Sequence, residues 1–221
     1  MSNNSSSWGI KPKNNEQQLA LESLLNPSIE LVILNGLAGS GKTLLALAAA
    51  LEQTIESKMY NKIIYTRAPV AIGNDLGSLP GTEEEKMGAW CGALIDNLEF
   101  LVRKDKLTQT ILDSYISVRA MQYMRGRSFN NKYIIVDEVQ NITTNQLKVL
   151  LTRTGENSKI ILLGDSTQVD TKYMRSDKEN ALNTISNLFL NTNLYKGEFV
   201  AYHYLNEGVR SRISNWALEN L

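Results

Sequence analysis

The chain has 221 residues, 43% hydrophobic and 21% charged, and its 23 basic and 23 acidic side chains leave no net charge. This length suits one domain, and the neutral balance means that any contact with nucleic acid must come from a local patch or an assembled surface. The lone Cys91 excludes an intrachain disulfide and a cysteine-based zinc cluster, and it fits a reducing compartment. No apolar stretch reaches about 18 residues and no signal peptide is recognisable, so we expect a cytoplasmic protein that does not bind a membrane.

The amino-terminal residues predict a polar tail followed by a helix. Residues 1–10 open with Met-Ser-Asn-Asn-Ser-Ser-Ser, which has nothing to bury, and we expect this tail to be disordered. Residues 11–221 are expected to form a single domain. The pattern over residues 14–25 predicts a helix that Asn14 or Asn15 caps. Its predicted apolar side consists of Leu19, Leu21, Leu24 and Leu25.

A short apolar run, residues 31–34, predicts a buried strand that is followed at once by a glycine-rich turn. The turn and the start of the next helix match G-x-x-x-x-G-K-[ST], in which backbone N–H groups cradle phosphates. In this pattern Lys42 reaches the β- and γ-phosphates, and the Thr43 hydroxyl binds Mg²⁺. We expect the following helix to cover residues 42–57. The predicted nucleotide-binding residues of the turn are Gly36, Leu37, Ala38, Gly39, Ser40, Gly41, Lys42 and Thr43.

A second apolar strand, residues 133–136, delivers two adjacent acids to its carboxyl end. Asp137 is predicted to hold Mg²⁺, through water, opposite Thr43. Glu138 is then placed to orient or deprotonate the water that attacks the γ-phosphorus. Gln140 is predicted to sense the γ-phosphate or to relay the nucleotide state to a neighbouring surface. An acidic pair after an apolar run is weak evidence alone, but downstream of a phosphate loop it indicates a nucleotide enzyme.

A third strand, residues 159–163, ends in Gly164-Asp-Ser-Thr-Gln168. Gln168 would face the γ-phosphate if this strand lies between the phosphate-loop strand and the strand that ends at Asp137. We expect that insertion where a glutamate follows the magnesium-binding aspartate. The remaining patterns predict strands at 62–66, 114–120 and 199–204, and helices at 82–103, 143–153, 178–190 and from 207 onward.

Three arginines are candidates for nucleic-acid contacts. Arg67 follows a predicted strand, at the edge where open α/β sheets bind ligands. Arg125 and Arg127 bracket a glycine beside a tyrosine, an arrangement that could grip phosphate and stack a base; a solvated basic turn is the alternative. The aromatic side chains Trp90 and Phe100 are expected to pack in the core rather than to stack on bases.

Together these motifs resemble those of the PhoH family of ATPases, relatives of superfamily one helicases, from residue 13 to the carboxyl terminus. The resemblance implies an α/β fold, a three-layer RecA-like P-loop NTPase with a mostly parallel central sheet and an extra strand between the Walker A and Walker B strands. It also implies ATP and Mg²⁺ as ligands and Gln17 as the residue that reads adenine, although the residues alone fit a solvated glutamine equally well. Besides the phosphate loop, the matching blocks are Thr66-Arg-Ala-Pro69, Leu76-Gly-Ser-Leu-Pro-Gly81, Met124-Arg-Gly-Arg127, Asp137-Glu-Val-Gln-Asn141, Leu151-Thr-Arg153 and Gly164-Asp-Ser-Thr-Gln168.

Two segments depart from the family's pattern. Gly88-Ala-Trp-Cys-Gly92 stands where members carry a proline-rich segment, and Asn180-Ala-Leu182 stands in place of a Ser-Gly-Leu block. Both lie outside the phosphate loop, so they bear on partner contacts or assembly rather than on hydrolysis. The lean domain and the many asparagines would suit a bacteriophage-encoded member.

The motifs and the resemblance predict hydrolysis of ATP to ADP and phosphate, coupled to the binding or helicase-like remodelling of RNA or single-stranded DNA. A helicase motor usually takes its arginine finger from a second motor domain, for which 221 residues leave no room. We therefore expect a homo-oligomer, such as a hexameric ring, in which Arg153 or Arg210 of one subunit completes the site of the next. A small-molecule kinase and a nucleotide-dependent binding module without turnover are the alternatives.

Overall fold

The computed structural model describes residues 8–68, 83–102, 105–124, 126–168, 180–192 and 198–208. In these residues six strands form one sheet in which every neighbouring pair is parallel. The strands are β1 (Leu31–Gly36), β2 (Lys62–Arg67), β3 (Ile116–Val118), β4 (Lys132–Asp137), β5 (Lys159–Gly164) and β6 (Val200–Leu205). The helices are α1 (Asn15–Leu25), α2 (Lys42–Leu51), α3 (Glu83–Val102), α4 (Asp105–Tyr115), α5 (Thr144–Leu151) and α6 (Ala181–Asn191).

The strand order is β3-β2-β4-β5-β1-β6, so β5 lies between the phosphate-loop strand β1 and the acidic strand β4. This confirms the predicted inserted strand and the α/β fold with a parallel sheet. Because the strands are parallel, the residues that follow β1, β2, β4 and β5 all meet at one edge of the sheet. The loop after β1 and the acids after β4 are therefore separated by two strand spacings, about 10 Å.

Alternate residues of each central strand enter two different apolar cores, which makes the domain three-layered. Leu34, Tyr65 and Ile135 pack beneath α1, α2, α3 and α4, whereas their neighbours, such as Ile134 and Val136, pack beneath α5 and α6. Burial on both faces explains why these strands are continuous apolar runs without polar alternation. The sheet edge is the place where polar side chains can gather.

The predicted strand at 114–120 is wrong at its start. Its first two residues end helix α4, which the sequence reading did not anticipate, and β3 begins only at Ile116. Leu107, Ile111 and Tyr115 recur every fourth residue, which is a helical spacing that the shorter alternating pattern obscured. Ile111 is the member of this series that reaches the core.

Three burial predictions also need correction. Leu19 is 46% exposed, and α1 instead buries Gln17, because this helix contacts the phosphate loop as well as the core. Phe100 is 61% exposed rather than packed. Ordered packing begins inside the predicted tail, since Ile10 is buried and Trp8 packs against the same core.

The element boundaries otherwise follow the predictions closely. Asn14 caps α1, Thr143 and Gln146 form a capping box at α5, and Asn180 caps α6. Helix α2 ends early, at Leu51, and continues as a π-helical turn. The helix predicted from residue 207 has not begun by residue 208, and its remainder lies outside the described residues, as does the side chain of Trp90. Within the described part of the chain, no helix is both long and apolar enough to cross a membrane.

Candidate functional site

The phosphate loop joins β1 to α2 and takes its shape from glycines. Gly39 and Gly41 have φ angles of 79° and 91°, in the left-handed region that side chains rarely adopt. Gly41 is the N-cap of α2 and no side chain caps this helix end, so its first N–H groups face the loop. The Lys42 ammonium donates to the carbonyl oxygens of Gly36 at 2.6 Å and Leu37 at 2.9 Å. The loop thus presents a cation and helix N–H groups on its inner side.

Strand β6 supports this loop from the side. Gly36 has a φ of 154°, and a Cβ atom there would lie 2.3 Å from the carbonyl oxygen of Leu205. The Leu37 N–H donates to the same oxygen at 3.1 Å. Only glycine fits this close approach of two backbones, which explains the first glycine of the motif.

Gln17 supports the loop from α1. Its Oε1 accepts from the Lys13 N–H at 2.8 Å, and its Nε2 donates to the Ser40 carbonyl oxygen at 2.9 Å. The side chain is buried, so it is not the solvated glutamine of the alternative reading. An amide oxygen accepts two hydrogen bonds and an amide nitrogen donates two, so each retains capacity for a base edge.

Asp137 ends β4 with both carboxylate oxygens engaged. The Tyr65 hydroxyl of β2 donates to Oδ2 at 2.7 Å, and the Glu138 N–H donates to Oδ1 at 3.0 Å. Burial raises the pKa of Asp137, while the Tyr65 hydrogen bond opposes this rise by stabilising the ionised form. Burial and the neighbouring carboxylate also raise the pKa of Tyr65, which keeps its proton available for donation.

Glu138 is held in an unusual backbone conformation, with a φ of 59°. Arg67 Nη2 lies 3.1 Å from its Oε1, in an ion pair whose side chains are 26% and 28% exposed. Gln140 Nε2 donates to Oε2 at 2.5 Å. Both oxygens of this carboxylate are therefore occupied by partners from the protein.

Gln140 connects Glu138 to the inserted strand. Its side chain is buried, and its Oε1 accepts from the Asp165 N–H at 3.1 Å, just past the end of β5. Gln168 lies exposed in the next turn, where its N–H donates to the Asp165 carbonyl oxygen at 3.1 Å. The polar residues after β4 and β5 are thus joined by side-chain hydrogen bonds, as their shared sheet edge requires.

The structure brings most of the predicted site residues to one edge and separates the others. The loop, Arg67, the acid pair, Gln140 and Gln168 share the carboxyl edge, whereas Arg153 lies at the opposite edge. There, after α5, the Arg153 carbonyl oxygen accepts from the N–H of Phe129, shortly before β4 begins. Arg127 is exposed in the segment from β3 to β4. Arg125 and Arg210 lie outside the described residues.

The donor set at this edge fits a magnesium–nucleotide complex. The Thr43 hydroxyl and the Asp137 carboxylate offer hard oxygen ligands, and the start of α2 offers N–H groups for phosphate oxygens. The buried Ser40 hydroxyl and one carboxylate oxygen of Asp165 have no hydrogen-bond partner among the described residues. Within those residues, no three His, Cys, Asp or Glu side chains group as a metal site. The Thr43 hydroxyl and the Asp137 carboxylate suit Mg²⁺, which binds through one or two carboxylates together with substrate phosphates.

The sequence reading missed two contacts on β2. It took Tyr65 only as part of the predicted strand at 62–66, and Arg67 only as a candidate for nucleic-acid contacts at the ligand-binding edge. Their roles follow from register, since Arg67 pairs with Asp137 and Tyr65 pairs with Ile135. The available signal was a phenolic hydroxyl and a guanidinium two residues apart, after the two isoleucines of this strand.

The comparisons with known proteins give one consistent family. The family model described as "PhoH-like protein" matches residues 9–220. Protein PhoH2 of Bacillus subtilis (strain 168) is 50% identical over 173 residues, which are 76% of this chain and 39% of that protein. Protein PhoH2 of Mycolicibacterium smegmatis is 39% identical over 164 residues, which are 74% of this chain and 38% of that protein.

The chain thus aligns with about two-fifths of the length of these relatives. Among solved structures, the Pif1 helicase from Candida albicans matches 95% of this chain and 43% of its own, with a TM-score of 0.48 and 16% identity. The family match spans nearly all of the sequence, including the loop and both acids. The chain belongs to the PhoH family.

Proposed function

We propose that this protein hydrolyses ATP to ADP and phosphate, and that hydrolysis is coupled to the binding of RNA or single-stranded DNA. One observation gives the main support for this proposal. The glycine loop at the start of α2 and the acids at the end of β4 lie at the same sheet edge, and α2 packs against both β4 and β5. A triphosphate on the loop would extend toward those acids.

Five residues of the edge would have a role in this reaction: Lys42, Thr43, Asp137, Glu138 and Gln140. The Lys42 ammonium would leave its loop carbonyls to hold the β- and γ-phosphates, with the N–H groups of α2 beside it. Mg²⁺, held by Thr43 and Asp137, would neutralise charge on the phosphate oxygens. Glu138 would orient the attacking water, and Gln140 would fix the position of that carboxylate.

The coupling to nucleic acid is supported by charge at the same edge. Arg67 is partly exposed there, and Arg127 is exposed in the segment from β3 to β4. Because the chain has no net charge, a single subunit would bind a polyanion weakly, whereas repeated arginines in a ring would bind it well. Arg153, at the opposite edge, could serve as an arginine finger only in the site of a neighbouring subunit.

Hydrolysis is tested by phosphate release together with the binding of a fluorescent ATP analogue. Glu138→Gln should release no phosphate yet still bind the analogue, and Lys42→Ala should lose both. Glu156→Gln is the matched control, because it makes the same chemical change in an exposed turn before β5, at the other sheet edge. Equal phosphate release by Glu138→Gln and the wild type would reject the proposed ATPase.

Coupling and assembly need separate measurements. Anisotropy of a labelled single-stranded oligonucleotide, titrated with salt, should show binding that weakens steeply as salt rises. The rate of hydrolysis per subunit should rise with protein concentration, because a finger supplied by a neighbour is worth roughly 10³ to 10⁵ in rate. A constant rate per subunit across a wide dilution series would reject the shared site, and absent binding at low salt would reject the coupling.

A further inference from the structure

We infer that the Arg67–Glu138 ion pair restrains Glu138, and that a nucleic-acid phosphate releases this restraint by competing for the Arg67 guanidinium. This inference rests on the proposed function and specifies how the nucleic acid would regulate hydrolysis. It assigns Arg67 two alternative partners, the carboxylate of its own site and the backbone of a bound single strand. Arg67 is therefore a positioning residue that acts through Glu138.

The geometry around Glu138 supports a held state. Arg67 engages Oε1 and Gln140 engages Oε2, so each carboxylate oxygen is held by one protein partner, and a water that takes the Arg67 position on Oε1 must displace the guanidinium. Gln140 is buried and is itself anchored on the Asp165 N–H, so it is the fixed partner. The Arg67 contact is the exchangeable one, because that side chain is partly exposed.

The position of Arg67 makes a phosphate the suitable competitor. It ends β2 at the open carboxyl edge, where a ligand can approach. A guanidinium presents a planar set of donors that matches a phosphate as well as it matches a carboxylate. A phosphate that binds both Nη groups in a bidentate manner would take the Nη2 donor from Glu138, so that binding mode releases Oε1 of Glu138.

Linkage makes this testable without hydrolysis. If Glu138 and a nucleic acid compete for Arg67, weakening the ion pair must strengthen nucleic-acid binding. The free energy of a partly exposed ion pair corresponds to about a two- to fivefold gain in affinity for the oligonucleotide when the pair is removed. We expect Glu138→Gln to bind a labelled single-stranded oligonucleotide that much more tightly than the wild type, in the absence of nucleotide.

A double-mutant cycle separates competition from simple loss of negative charge. In an Arg67→Met background, Glu138→Gln should give no gain, because the contested guanidinium is gone. If removal of a negative charge alone caused the effect, Glu138→Gln would raise the oligonucleotide affinity equally in both backgrounds. That result would refute the competition for Arg67. So would failure of the wild type to bind the oligonucleotide at low salt.

Hydrolysis gives the second readout. Without oligonucleotide, Arg67→Met should hydrolyse ATP about two- to fivefold faster than the wild type and respond little to added oligonucleotide. Arg67→Lys, which keeps the charge but not the planar donors, should fall between them. Lys148→Met, an exposed lysine on α5, is the charge-matched control.

If Arg67→Met hydrolysed ATP more slowly than the wild type and still responded normally to oligonucleotide, the proposed restraint of Glu138 by Arg67 would be refuted. The ATPase proposal would remain intact. The absence of hydrolysis in every variant would reject the ATPase proposal, whereas the nucleotide-free binding cycle would still decide the competition for Arg67.

Discussion

Lys159 should make the stability of the protein rise between pH 7 and pH 9. It begins β5, is fully buried, and donates from Nζ to the carbonyl oxygens of Ser23 at 2.9 Å and Asn26 at 2.7 Å. The Ser23 carbonyl needs this donor because the residue four positions on is Pro27, which has no N–H. Burial lowers the pKa of Lys159 from 10.5 to about 7.

The direction follows from proton binding in the two states. Above pH 7 the folded protein loses the Lys159 proton, whereas the unfolded chain keeps it up to its ordinary pKa of 10.5. The unfolded state therefore binds more protons across this window, so the free energy of unfolding rises with pH. Integrating the two titrations from pH 7 to pH 9 gives a gain of about 2 kcal/mol. Burial raises the pKa of Cys91, which opposes part of this gain near pH 9.

Urea unfolding at pH 7, 8 and 9 measures the effect when the wild type is compared with Lys159→Met. The variant should lose the Lys159 contribution while keeping that of Cys91, so the difference between the two curves isolates one group. Lys148→Met controls for the loss of a lysine, because this side chain is exposed on α5. A Lys159→Met protein whose stability rises with pH as steeply as that of the wild type would refute the reasoning.

Three further substitutions test contacts in the fold and the site. Tyr65→Phe removes the donor to Asp137, so the Mg²⁺ concentration for half-maximal hydrolysis should rise about tenfold; an unchanged Mg²⁺ titration would contradict this role. Gly36→Ala should cost about 1–3 kcal/mol in urea unfolding, because its Cβ would lie 2.3 Å from the Leu205 carbonyl oxygen; unchanged stability would contradict that packing. Gly92→Ala should instead stabilise by about 0.5–1 kcal/mol, since a Cβ there meets nothing within 4 Å and alanine favours α3; a loss of stability would show a contact that this geometry lacks.

The sequence was sufficient for the strand–loop–helix unit and for the position of the inserted strand. Those predictions depend on local sequence, because glycines, a lysine and a threonine at this fixed spacing occur in only a few kinds of local structure. The acid pair was found the same way, from an apolar run that ends in Asp137. Helix α4 was missed because the alternating pattern of residues 114–120 overlaps the end of the helical spacing of Leu107, Ile111 and Tyr115, of which Ile111 is buried in the core.

What the sequence could not supply was the place of β2 beside β4 and the register of that pair. Nothing near Arg67 in the chain shows that it will pair with Asp137, 70 positions later, because that register depends on hydrogen bonds between distant segments. The donors of a guanidinium at a sheet edge suit a phosphate as well as a carboxylate, so the residue type alone does not identify the partner. Only the pairing of β2 with β4 shows which acid lies within its reach.

The same pairing makes β2 a support for both acids of the site. Tyr65 holds Asp137 and Arg67 holds Glu138, from positions two residues apart on one strand. A small shift of β2 relative to β4 would therefore change both contacts together, although the two acids have different proposed tasks. Loss of the Tyr65 hydroxyl should consequently alter the Arg67–Glu138 contact as well as Mg²⁺ binding. The nucleic-acid affinity of Tyr65→Phe measures that effect, and an affinity equal to that of the wild type would show that the two contacts are independent.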